Sequence, residues 1–158
     1  MIRLKPLLVL TLALAVVATG VCLKVAAQPT PPEPWKKVED AVQNRLPKTA
    51  IGHLDAIFAS ALKTKAYPEA IKALCQKIVL ESTIEGNKPE EKITRMKSAI
   101  TAVPTEMRPV LHAVLAVWYW DYFEQNRFRI VGRSTVASTA GDDVTTWDQV
   151  RVTAEVER

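Results

Sequence analysis

Prolines divide this chain. Between Trp35 and Gln125, Pro47, Pro68, Pro89 and Pro104 interrupt apolar residues that recur at spacings of three and four. A proline inside a helix removes a hydrogen bond and clashes with the preceding turn, so each must stand at a helix end or in a first turn. The region can then fold only as a succession of short helices. Trp35, Val38, Val42 and Leu46 predict a first helix that Pro47 ends. Ala50, Leu54, Ile57, Phe58, Ala61 and Leu62 predict a second, with Ala56, Ala59 and Ser60 small enough on its other faces to admit a neighbour. Pro68 opens a third, whose stripe is Ile71, Leu74, Cys75, Ile78 and Val79, and Gly86 is placed to stop it in a left-handed cap. Pro89 opens a fourth, with Glu90 and Glu91 at the positive end of its dipole and Ile93, Met96, Ile100 and Val103 as its buried face. A fifth starts between Thr105 and Pro109 and runs to about Gln125.

The fifth helix is unlike the others. From Val110 to Phe123 only His112 and Asp121 break an apolar run, and residues 117–130 (VWYWDYFEQNRFRI) hold six of the chain's ten aromatics. A helix apolar on all sides is normally covered by several neighbours, so the aromatics predict a packing seam. The alternative is an exposed groove for a peptide or sugar, because large apolar patches usually bind something. The expected fold is all-α: about five helices packed as antiparallel hairpins around a central aromatic helix. A short extended segment and a cut C-terminal helix follow.

The ends are read differently. Arg127 to Val136 shows β-branched residues and rough alternation, which predicts an extended segment. Residues 137–143 are small and polar, a loop. Val150, Val152, Ala154 and Val156 alternate as in a strand, while Thr146 with Gln149 has the spacing of a capping box, so residues 147–158 are open between strand and helix, with helix preferred. The patterned tail reaches Arg158 without a stop signal, which suggests a truncated helix. At the other end, basic Arg3 and Lys5 precede an apolar run over residues 7–23, and Val25-Ala26-Ala27 offers a cleavage site. Residues 1–27 are expected to be a signal peptide, or an uncleaved anchor. Residues 28–34 carry four prolines and read as a non-helical spacer. Residues 35–126 form the helical domain, and residues 127–158 the extended segment, loop and start of a further helix. The protein is then expected to be exported, periplasmic or extracellular, and to meet a membrane only through its N-terminal segment, anchored by residues 7–23, if that segment is uncleaved.

Charge excludes one class. The net charge is +4, but residues 1–27 hold three basic residues and no acid, so 18 basic residues remain against 17 acidic. That balance predicts no nucleic-acid partner. Cys22 lies in the apolar run and Cys75 stands alone after it, so no disulfide is expected within residues 28–158.

Chemistry is scarce. No zinc-protease, phosphate-loop or nucleophile-elbow motif occurs. His53 and His112 are far apart, and Cys75 lies on an apolar stripe. No catalytic, cofactor-binding or metal-ligating residue is assigned, and an enzyme is not expected. Asp121 is the exception within its apolar helix. A buried carboxylate needs a partner, and Arg127, Arg129 or Arg133 can supply one; the other reading is a three-arginine anion site.

The same region carries a family resemblance. Residues 115–134 (LAVWYWDYFEQNRFRIVGRS) followed by residues 142–148 (DDVTTWD) resemble the N-terminal helical region of bacterial alpha-2-macroglobulin-like proteins. Trp118, Tyr122, Asn126, Arg127, Arg133, Thr146, Trp147 and Asp148 match its pattern of aromatic helix, Asn-Arg, Arg-Thr and Thr-Trp-Asp, with Ser134 in place of the threonine. Residues 47–58 (PKTAIGHLDAIF) are similar to an earlier helix of that region. The resemblance implies a non-catalytic scaffold segment of a large exported protease-trapping protein, whose partner is the remainder of that chain. It also implies a fragment, since the bait region is absent and Cys75-Gln76-Lys77 is not the family's thioester context. A different class remains: a tetratricopeptide-like helical hairpin that binds a peptide or protein. Against it, Pro47 and Pro104 are too far apart for a 34-residue repeat.

Overall fold

The computed structural model describes residues 32–133 and 141–158. They form six helices and no strand: α1 (Glu33–Gln43), α2 (Pro47–Lys63), α3 (Tyr67–Ile84), α4 (Pro89–Ala102), α5 (Arg108–Val131) and α6 (Gln149–Val156). Single 3-10 turns at Thr105–Met107 and Val144–Thr146 precede the last two. Each helix packs against the next one in the chain.

Prolines sit where their chemistry allows. Each of α1 to α5 carries one in its first two positions, where the missing N–H has no partner to lose. Pro34 is one of these, so the end of the expected spacer is the first turn of α1 instead. Pro47 opens α2, and α1 stops before it at Gln43.

The stops of α1, α2 and α3 share one device. Arg45, Lys65 and Gly86 adopt left-handed φ values of 57°, 57° and 98°. After each, the next N–H reaches back to a carbonyl of the last turn: Leu46 to Ala41 at 2.8 Å, Ala66 to Ala61 at 2.8 Å and Asn87 to Ser82 at 2.7 Å. The N–H groups of Arg45, Lys65 and Gly86 bond Val42, Leu62 and Thr83 at 3.0, 3.2 and 3.3 Å. These paired bonds are Schellman caps. Glycine adopts that conformation freely, whereas an L side chain costs roughly 1–2 kcal/mol there. Arg45→Gly and Lys65→Gly should therefore each raise stability by about 1 kcal/mol, read as a higher urea midpoint; Gly86→Ala should lower it.

Two clusters make the core. Trp35, Val38, Ala41, Ala50, Leu54, Ile57 and Ala73 join α1, α2 and α3. The larger cluster runs from Ala61, Ala70 and Leu74 through Met96 and Ile100 to Leu111, Trp118, Tyr122, Ile130, Trp147 and Val152. Phe58 packs against both. Ala50, Ala70 and Ala73, all fully buried, let backbones approach; Ala56, Ala59 and Ser60, expected in that role, face solvent.

Polar bonds stitch the same helices. The Trp35 indole N–H donates to Glu69 at 2.9 Å, and the Lys72 ammonium lies 4.0 Å from the centre of the Trp35 ring. Lys77 pairs with Asp55 at 2.6 Å, and Arg95 pairs with Glu81 at 3.1 Å and Glu85 at 2.6 Å. These pairs link α2, α3 and α4 at the surface, where each contributes about 0–1 kcal/mol.

The region after Asn126 differs from the sequence expectation. Residues 127–131 continue α5 rather than forming an extended segment. Ile130 is fully buried by that continuation, and burial outweighs the weak strand preference of β-branched residues. Residues 134–140, most of the remaining extended segment and loop, lie outside the described residues, as do residues 1–31 with the expected leader. The tail is helix, but its cap is Asp148 and not Thr146. The Asp148 carboxylate accepts from the Arg151 N–H at 2.8 Å, while the Thr146 hydroxyl donates to the Asp143 carbonyl at 2.7 Å.

Candidate functional site

An apolar cleft of about 570 Å³ opens between α1, α3 and α5. Val38 and Val42 line it from α1, Cys75 and Val79 from α3, and Val114 and Trp118 from α5. Glu39, Gln43 and Gln76 are the polar residues of its lining. Each helix contributes positions four residues apart, which share one helix face. Val42 is 46% exposed and Val79 41%, so the cleft walls meet water although they are aliphatic. Trp118, 8% exposed, closes part of the floor, with the Lys92 ammonium 4.8 Å from its ring centre.

Cys75 is half-buried in this cleft, and burial raises the pKa of its thiol. At neutral pH it is a protonated, weakly nucleophilic group. Among the described residues no group of three His, Cys, Asp or Glu side chains is placed to hold a metal ion.

The residues singled out in the sequence fall into two sets. One set gathers where the C-terminal segment meets α5. Trp147 is 1% exposed; its ring lies 5.2 Å from that of Tyr119, and the Arg151 guanidinium lies 5.2 Å from its centre. The Trp147 indole N–H donates to the Gly141 carbonyl at 2.9 Å, and Arg133 donates to the Trp147 carbonyl at 2.8 Å. Asp148 caps α6. Lys97 pairs with Asp142 at 2.9 Å, holding the Asp142 carboxyl below the usual carboxylate range. Tyr122 is buried with its hydroxyl accepting from Arg129 at 2.7 Å, and the Asn126 amide donates to the Tyr122 carbonyl at 2.9 Å.

The other set is at the surface. Asp121 is exposed and makes no ion pair among the described residues. The expected Asp121–arginine pair is absent because Asp121 lies on the outward side of α5, where water solvates the carboxylate. Arg127 is exposed, whereas Arg129 and Arg133 serve Tyr122 and Trp147, so the three arginines do not converge on an anion site. Nor do the aromatics form one seam. Trp118, Tyr119, Tyr122 and Phe123 are buried, but Trp120 is 47% and Phe128 97% exposed.

Tyr119 gives this junction a pH signature. Burial pushes its hydroxyl up to about 12, with nearby Glu155 adding to the effect. An unfolded tyrosine ionises near 10. Stability from this group is thus fully present below about pH 10 and is lost as pH rises toward about 12. The urea midpoint should fall over that range, and Tyr119→Phe should flatten the fall.

The cleft was not legible as a site, since its walls come from three helices; in the sequence Val42 and Val79 read only as members of apolar helix stripes, and their exposure of 46% and 41% appears only in the structure. No helix of the described residues is long and apolar enough to cross a membrane. Comparison with protein-family models, curated proteins and solved structures finds no match to the chain.

Proposed function

We propose that this chain is a non-catalytic scaffold segment from the N-terminal end of an exported alpha-2-macroglobulin-like protein. Its cleft receives an apolar segment from the remainder of that protein. The observation that carries the reading is the open aliphatic cleft, a concave apolar surface in which half-exposed Val42 and Val79 can be covered by a partner segment. The docking of Trp147, Asp148 and Arg133 against α5 supports the family reading, because it gives the matched residues a shared structural task. In this reading α5 is the spine, and antiparallel hairpins α1–α2 and α3–α4 pack beside it. Protease trapping belongs to the whole protein, since this segment supplies neither bait region nor thioester.

The test begins with the DNA beyond codon 158. An open frame encoding β-sandwich domains is expected. That downstream portion, supplied in trans, should co-sediment with the chain, and Val42→Asp with Val79→Asp should weaken the complex at least tenfold, about 1.4 kcal/mol. A frame that closes, or a complex indifferent to both substitutions, would refute the proposal.

One observation favours the other class. α1 begins at residue 33 and α3 at residue 67, a period of 34 residues, as in a tetratricopeptide-like hairpin. From α3 to α5 the period is 41 residues, counting from 67 to 108, so the repeat does not continue. Tight binding of a short apolar peptide in the cleft, with no affinity for the downstream portion, would select this reading.

A further inference from the structure

The outward face of α5 carries a heptad seam. Val110, Val117, Glu124 and Val131 are seven residues apart, and Trp120 and Arg127 follow the second and third of these by three. All six are exposed: Val110 50%, Val117 58%, Trp120 47% and Val131 54%, with Glu124 and Arg127 also in solvent. This spacing is that of the a and d positions that face a partner helix. None of these residues lines the cleft. Among the described residues Glu124 and Arg127 form no ion pair.

We infer that α5 pairs antiparallel with α5 of a second copy of this chain. The seam is self-complementary about a point between Gln125 and Asn126. There Glu124 of each copy faces Arg127 of the other, and Trp120 of each faces Val131 of the other. Both pairs of residue numbers sum to 251, so one two-fold axis satisfies both. The charged layers set the register and the direction, and the Trp–Val layers supply the apolar burial. Trp120 is already propped against Phe123, ring centres 5.4 Å apart, which holds it ready to pack. Phe128 beside the seam is 97% exposed. An aromatic side chain buries roughly 150–250 Å². Phe128 and half-exposed Trp120 together then provide about a third of the roughly 800 Å² per partner of a standard interface. Val131 adds to it, while Val110 and Val117 lie N-terminal to the overlap, because α5 of the facing copy ends at Val131.

Charge exchange tests the pairing. Sedimentation of the full chain should show the mass rising with concentration from 17.5 kDa toward twice that value. Glu124→Arg places arginine against arginine, and Arg127→Glu places glutamate against glutamate. Each should raise the dimer Kd at least tenfold. Circular dichroism should stay as in the wild type, and so should thermal melting at concentrations where the wild type is monomeric, because both side chains are exposed. An equimolar mixture of the two single variants should recover association, since every facing pair is then opposite in charge; the double variant should recover it too. A chain monomeric at all concentrations would overturn the inference. So would association that neither single variant weakens, which would place the contact elsewhere.

Discussion

Replacing Trp147 with alanine is expected to cost about 3–5 kcal/mol, the range for deleting a buried aromatic side chain. The site favours the upper end. The ring is 1% exposed, stacks at a tilt on Tyr119, lies against Arg151 and donates to the Gly141 carbonyl. Removing it leaves that carbonyl without its donor and Tyr119 without a cover. α6 has only eight residues, too few to persist without tertiary contacts. The whole segment from Gly141 should therefore loosen together. Urea denaturation measures the loss, and limited trypsin digestion should cut early at Arg151. An unchanged midpoint would mean that the C-terminal segment does not dock on α5.

Trp118→Ala is the second large effect, expected near 3 kcal/mol. Trp118 belongs to the main core cluster yet also forms part of the cleft floor. Its removal deepens an opening that water can enter rather than sealing a void inside, which places the cost at the lower end of the range. The Lys92 contact is lost as well, worth about 0.5–1 kcal/mol at a partly exposed site. A urea midpoint close to that of the wild type would show that α5 is not anchored through this residue.

The helix order was legible because it rests on local chemistry. Prolines in first turns and stripes such as Ile93, Met96 and Ile100 declare themselves without tertiary information, and Gly86 announces its left-handed cap. Arg45 and Lys65 do the same work as Gly86 but were hidden, since nothing in an arginine or lysine signals a positive φ. The continuation of α5 past Asn126 was missed for the opposite reason. Phe128, Ile130 and Val131 suggest a strand locally, and only the burial of Ile130 against distant residues decides for helix. Asp121 was misread because composition alone does not distinguish a helix covered all round from one with a bare flank. That bare flank, with Val117 and Trp120 on it, and the cleft between α1, α3 and α5 are both products of packing. Arg133 and Trp147, fourteen residues apart, meet where the C-terminal segment docks on α5, a contact that no local pattern announces.

Cys75 offers the most direct measurement of the central claim, that the cleft is a docking surface. It lines the cleft and is the free cysteine of the described residues. In a Cys22→Ser background, its rate of reaction with a maleimide reports access to the cleft. The rate should be slow but measurable at neutral pH, because the thiol is half-buried and its pKa is raised. Under the proposed function, adding the β-sandwich portion expected downstream should slow it at least tenfold in wild type, the protection that occupancy above about 90% of the cleft implies. Val79→Asp should remove that protection. A Cys75 rate unaffected by the downstream portion, at concentrations where the two co-sediment, would contradict the claim and place the contact outside the cleft.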